Sequence, residues 1–179
     1  DFTITIGKNH LTASREGETI HLDNGTEVMD VELHNMLPPW RPGRMSLEDR
    51  SFYENAVLAP QARVKATLKT GQGSRTFTGR GYVDHSRTTL SEYKQALHWI
   101  HFTSLQGPMA INITEFQRPK SHGGHRISWM MVGAQGRVQH ATQGYDVKIH
   151  RHITDSKVSA KYTVPTKLSF SWKGPQGTI

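Results

Sequence analysis

The chain has 179 residues, 35 % of them hydrophobic and 21 % charged, which is enough apolar content to build a core. It contains no cysteine, which excludes disulfides, thiolate metal sites and cysteine nucleophiles, and no apolar run approaches the roughly 18 residues of a membrane-spanning helix. With 22 Lys and Arg against 15 Asp and Glu the net charge is +7, which favours anionic partners: nucleic acid, acidic lipid headgroups or an acidic neighbouring subunit.

In chain order, Phe2-Thr3-Ile4-Thr5-Ile6 alternates at period two, so three apolar side chains share one face of a strand. Gly7-Lys8-Asn9 turns the chain into a short strand over 10–14, and Glu16-Gly17 turns it again. A third strand over 19–22 ends at Asp23-Asn24-Gly25, a hairpin signal. Residues 27–34 put Met29, Val31 and Leu33 on one side. From 35 to 60 the alternation fails among Pro38, Pro39, Pro42 and Gly43, and a long, partly ordered loop is expected, with a helical turn opening at Ser46. Strands over 62–68 and 75–84 follow, and Gly79 and Gly81 in the second mark a bulge or a close backbone approach. One short helix is expected over 91–96. Further strands are expected over 97–105, 109–116, 127–133, 137–141 and 145–149. This is an all-β, antiparallel pattern, closed or nearly closed, because so many strands would otherwise leave unprotected edges.

Residues 1–150 are therefore expected to form one β-barrel domain, and the polar stretch 151–163 a linker. In 164–179, Leu168, Phe170 and Trp172 alternate with Lys167, Ser169, Ser171 and Lys173. A lone strand is no domain, so this piece should open a second β unit, pair back on the barrel or pair with another polypeptide. The chain begins at Asp1 without an apolar signal core, as a trimmed or processed product would.

The densest group of chemically able residues is Tyr82, Asp84, His85 and Arg87, at a strand end. Asp84 and His85 form a candidate acid–base pair, with Tyr82 and Arg87 as polar anchors. Period two sets Tyr82 and Asp84 on one face and His85 on the other, so only a bulge or the loop could make the pair converge. A strand end whose Asp and His satisfy a turn is the competing structural reading. Trp40 and Arg41, held between prolines, suit a plate over an apolar ligand or a plug at a barrel end. Trp99 and Trp129 lie within strands and line either a cavity or a filled core. Eleven histidines supply only pairs such as His122 with His125 and His150 with His152, so no metal site is expected, nor any other cofactor. No phosphate-binding glycine loop or Gly-x-Ser-x-Gly elbow occurs, and nucleic-acid binding rests on charge alone.

The segment Phe77-Thr78-Gly79-Arg80-Gly81-Tyr82-Val83-Asp84-His85, with Gln95-Ala96-Leu97-His98-Trp99-Ile100-His101-Phe102 downstream, resembles the lipocalin-like (calycin) superfamily of carotenoid hydratases, AttH-type proteins and fungal survival-factor proteins. Pro38-Pro39-Trp40-Arg41-Pro42-Gly43 is similar to that superfamily's Pro-Trp-Arg-Pro-Gly loop, and Tyr162–Lys167 through Gly174 resembles its linker into a second domain. The resemblance implies two lipocalin-like barrels in tandem that act on or carry isoprenoid, sphingolipid or similar apolar molecules. Ser86-Arg87-Thr88-Thr89 departs from the aromatic-Gly continuation of the hydratases.

Three functions follow as expectations. The first is a lipocalin-like protein that binds or transfers an apolar lipid or isoprenoid-type molecule through Trp40, Arg41, Tyr82, Arg87, Trp99 and Trp129, docking at an anionic membrane surface. The second is a non-catalytic structural subunit among other protein subunits. The third is a hydratase or cyclase that uses Asp84, His85 and Tyr82. The compartment stays open between cytoplasmic and organellar, with a position peripheral to a membrane.

Overall fold

A computed structural model describes residues 1–47, 50–154, 163–174 and 177–178. The alternating N-terminal segments fold as a meander. β1 (Phe2–Ile6), β2 (Asn9–Ala13), β3 (Gly17–Asp23) and β4 (Val28–Asn35) pair with one another in antiparallel succession. Gly7, at φ +60°, opens the two-residue β1–β2 loop, and only glycine takes that geometry at no steric cost. β5 (Trp40–Ser46), β6 (Phe52–Thr70) and β7 (Gly73–Thr88) complete a seven-stranded sheet of order β1-β2-β3-β4-β6-β5, with β7 along the other edge of β6.

β6 organises the sheet. Over its 19 residues it pairs first with β5, through Phe52–Val57, and then with β4, through Ala62–Lys69. Against β7 the register slips twice between Val57 and Ala62, and both additional residues lie in β6. Such bulges bend a strand and raise its twist. The bend divides the sheet into a wing (β1–β4 with the C-terminal part of β6 and the N-terminal part of β7) and a second half that is covered by other strands.

The covering layer follows a short helix, α1 (Glu92–Gln95). It consists of β8 (His98–Ser104), β9 (Met109–Gln117), β10 (Arg126–Ala134) and β11 (Arg137–Gln143), in the order β11-β10-β9-β8. One face meets β5, β6 and β7 through a core of Leu47, Tyr53, Phe116, Ile127 and Trp129, with Trp40, Met45, Leu90 and Ala96 packed on it. The other face carries Ile113 and Met130 and is covered by β12 (Asp146–Thr154) and β13 (Thr163–Ser171), which contribute Val147 and Phe170, together with Tyr145 and Trp172. Burying an aliphatic or aromatic side chain contributes about 1.5–3 kcal/mol, so this stack is the best-stabilised part of the molecule. β14 (Lys173–Gly174) and β15 (Gly177–Thr178) form a two-residue ladder after it. The Gln143 amide donates to the Pro42 carbonyl at 2.6 Å, which ties β11 to β5. Among the described residues no ladder joins β7 to β8, so the barrel is open at that seam.

The wing has a single layer. Cross-strand register lines up Ile4, Leu11, Ile20, Val31, Ala66 and Phe77 in one apolar row across six strands. Its own core is small: Leu33, Ala59 and Ala62, with Ile20, Val31, Val64 and Val83. Gly81 lies across from Ala62, and a Cβ there would stand 2.5 Å from Val64 Cγ2, so the glycine permits the close approach. Glu18 shares this face and is 2 % exposed, with no hydrogen-bond partner on either carboxylate oxygen. Burial pushes its carboxyl pKa up, and a contact with Asn35 opposes the shift. On the opposite face His21 stacks on His10, and Asp30 bonds His21 Nδ1 at 2.6 Å and Lys69 Nζ at 3.1 Å. These two partners, His21 first, hold the Asp30 carboxyl below its usual range.

The structure corrects two expectations. Residues 35–60 are not a loop, because β5 occupies 40–46 and β6 begins at Phe52. Pro42 is tolerated because β5 is an edge strand whose register against β6 slips between Trp40 and Gly43. Ser46 closes β5, and the helical turn expected after it falls on Glu48 and Asp49, outside the described residues. In the second case, Arg151–Thr154 continue β12 and do not open a linker, with 155–162 outside the described residues. Of the pairings open to the terminal strand, β13 takes the one within the chain, against β12.

Candidate functional site at the open seam

β7 presents Tyr82, Asp84 and Ser86 on the face turned toward β8 and β9. Asp84 Oδ2 accepts two hydrogen bonds, from the Tyr82 hydroxyl at 3.0 Å and from the Asn55 amide at 3.1 Å. Asn55 comes from the neighbouring position on β6 and is 3 % exposed, whereas Asp84 itself faces solvent. The Tyr82 phenol is pushed far above its ordinary pKa. Burial is the main cause, followed by the Asp84 charge and by the hydrogen bond donated to it. Tyr82 therefore keeps its proton and remains a donor across the physiological range.

Across the opening, β8 supplies Trp99 and His101 and β9 supplies Asn112 and Thr114. The His101 ring lies 5.7 Å from the Tyr82 ring. Its Nδ1 is 3.2 Å from Thr114 Oγ1 and its Nε2 is 2.8 Å from Thr103 Oγ1, so two hydroxyls fix the imidazole. The Asn112 amide also donates to Thr103, at 3.2 Å. Below this polar layer stands an aromatic one. Tyr53 contacts Trp99, Phe116 and Trp129 at ring distances of 5.7, 5.2 and 5.6 Å, and its hydroxyl is 2.8 Å from Ser86 Oγ. Trp99 remains 41 % exposed at the mouth. Two buried amide oxygens in the polar layer, Asn55 Oδ1 and Asn112 Oδ1, have no hydrogen-bond partner. Each such acceptor costs about 1–3 kcal/mol if left unmet, so the layer suits a ligand or water that donates.

Of the residues expected at a site, the structure joins Tyr82 to Asp84 and sets Trp99 on the strand across the seam, against Tyr53 and Phe116. His85 lies on the opposite face of β7, across from Ala56, and forms no pair with Asp84. The register slips needed to turn it are in β6, not in β7. Arg87 also points outward, where it meets Glu54 at 2.7 Å and, with Arg44, flanks the Phe52 ring. Trp40 is half-buried against the core, Trp129 is fully buried in it, and Arg41 is exposed on β5. Asn55, His101, Asn112 and Thr114 were not expected at the site. For the last two a signal exists: Asn112 and Thr114 stand between Ala110 and Phe116 on the inward face of their strand.

No protein-family profile matches the sequence, and no curated protein does. A search of solved structures finds the crystal structure of kievitone hydratase from Nectria haematococca, with a TM-score of 0.59. The fold is lipocalin-like. That likeness covers 93 % of this chain at 10 % sequence identity, so it speaks for the lipocalin-like fold and not for an activity. The chain spans 53 % of the length of that protein.

Proposed function

We propose that the chain binds an apolar, lipid- or isoprenoid-type molecule carrying a hydroxyl group, with the hydroxyl at Asp84 and the hydrocarbon against Trp99. The arrangement of Asp84 carries this reading. Its Oδ2 is fixed by Tyr82 and Asn55, the carboxylate faces solvent, and an exposed Trp stands on the strand across the seam. The unmet oxygens of Asn55 and Asn112 add acceptors beneath, and the Tyr53–Phe116 layer makes the floor apolar. Removing hydrocarbon from water at about 25 cal/mol per Å² would supply most of the affinity, with the carboxylate setting orientation. The net charge of +7 would draw the protein to anionic membrane surfaces, where such molecules reside.

Titration of the protein with farnesol, read by tryptophan fluorescence and by calorimetry, tests the reading. The wild type should bind, and Asp84→Asn and Trp99→Ala should each weaken binding by about tenfold or more. Equal affinity in all three, or no binding by the wild type, would defeat the proposal.

A hydratase is the second reading, favoured by the hydrogen-bonded Tyr82–Asp84 pair and by the activity named for the structural neighbour. Asp84 would act as general base, taking a proton from water as the hydroxyl adds to one alkene carbon while a solvent proton adds to the other, and Asp84 would then return its proton to solvent. In that case Asp84→Asn should abolish turnover yet leave affinity for the alkene intact. The simple binder instead loses affinity for the alcohol.

A further inference from the structure

We infer that β1 is a pairing edge for a second copy of this chain, joining two wings antiparallel about a two-fold axis at Ile4. β1 is the outer strand of the wing, pairs only with β2 among the described residues, and is exposed along its full length. A free edge is a row of unpaired N–H and C=O groups, which proteins usually protect with charge, proline or bulges. Most of the other edge strands among the described residues are protected in this way. β5 has Arg41, Pro42 and Arg44, β7 has Arg75 and Arg80, β11 has Arg137, and β13 has Pro165 and Lys167. β12 has Lys148 and Arg151, and β8 instead faces β7 across the seam. β1 has no charge, no proline and no bulge.

The occupant follows from the symmetry of the strand. Turned about Ile4, Phe-Thr-Ile-Thr-Ile matches itself: Ile4 meets Ile4, Phe2 meets Ile6, and Thr3 meets Thr5. Apolar residues then face apolar ones and threonines face threonines. The hydrogen bonding agrees. The two-residue loop makes Ile6 and Asn9 a hydrogen-bonded pair, and the alternation of antiparallel ladders makes Ile4–Leu11 another. The backbone groups of Thr3 and Thr5 therefore point to the free edge. In the two-fold arrangement each Thr3 exchanges both of its bonds with Thr5 of the other copy. The apolar row from Phe77 to Ile4 would then run on through the axis into its own image. Five paired residues bury far less than the roughly 1,200 Å² of a standard interface, so the dimer should be weak and concentration-dependent.

The test is sedimentation velocity of the 179-residue chain over a wide concentration range, with circular dichroism to confirm folding. Wild type should shift from monomer to dimer. Thr3→Lys/Thr5→Lys, which opposes like charges across the axis, should stay monomeric. Thr3→Glu/Thr5→Lys should dimerise at least tenfold more tightly than the Lys/Lys chain, because position 3 meets position 5 of the other copy. Thr3→Pro removes an outward N–H without touching the β1–β2 ladder, and should weaken the dimer while leaving the fold intact. A wild type that is monomeric throughout, or a Lys/Lys chain that dimerises like wild type, would overturn the inference. So would Glu/Lys and Lys/Lys chains that behave alike.

Discussion

The two halves of the seven-stranded sheet share β6 and β7 yet are stabilised in different ways. In the half that meets β8–β11, Tyr53, Phe116 and Trp129 are almost wholly buried, and the covering sheet is itself covered by β12 and β13. In the wing, Ile4, Leu22 and Phe77 remain more than two-fifths exposed, and the enclosed core is Leu33, Ala59 and Ala62. On β7 the two cores even lie on opposite faces. Asp84 and Tyr82 look toward β8, whereas Val83, Gly81 and Phe77 look along the wing's apolar side. The same alternation makes a packed stack in one place and an open surface in the other, and what differs is which element returns to cover it.

Four measurements test that contrast. The largest effect should come from Trp129→Ala, which empties the centre of the stack and should cost about 3–5 kcal/mol in urea unfolding. Ile4→Ala on the wing should cost no more than about 1 kcal/mol, since much of that side chain is already in water. Comparable losses would erase the distinction. Next, Gly81→Ala forces a methyl group against Val64 Cγ2, a branch with little freedom, and should cost about 1–3 kcal/mol. Gly133→Ala drives a methyl group against Leu37, a side chain only 2 % exposed, and should cost a comparable amount.

Glu18 gives the third, a pH effect. Its raised pKa means that the folded state holds the proton more tightly than the unfolded one. The associated stability is complete below the ordinary glutamate value and is lost as the pH rises through the raised one. Glu18→Gln should therefore be more stable than wild type near neutral pH, and the difference should vanish in acid, as urea midpoints at the two pH values would show. The smallest effect concerns Asp30. Its lowered pKa places its contribution above the ordinary carboxylate value, lost as the pH falls through the lowered one. His21→Ala should move the Asp30 titration upward, followed by NMR of the carboxyl carbon, with little change in neutral-pH stability.

The wing was the most legible region in the sequence, because one face meets water and the period-two pattern of β1 to β4 is left clean. β5 was hidden by Pro42 and Gly43, whose strand-breaking character is absorbed at an edge and a register slip. The first third of β6 was hidden for another reason: its inward positions are Tyr53, Asn55 and Val57, and a buried asparagine interrupts the apolar alternation. That same asparagine belongs to the candidate site, so the residue that obscured the strand is one the site uses. Period two correctly separated His85 from Tyr82 and Asp84. It could not reveal that β8 and β9 would bring His101 and Asn112 to the same seam, since that depends on how two sheets pack.

The continuity of β6 also bears on dissection of the chain. Because one unbroken strand supplies a ladder partner to β4 and β5 on one side and β7 on the other, the wing and the stack have no dividing line between them. A protease cut at Leu58–Gln61 would strip both of their shared backbone and release two fragments that each lack a strand. Truncation should therefore melt the molecule as a whole, and the bend that separates its surfaces also makes it indivisible.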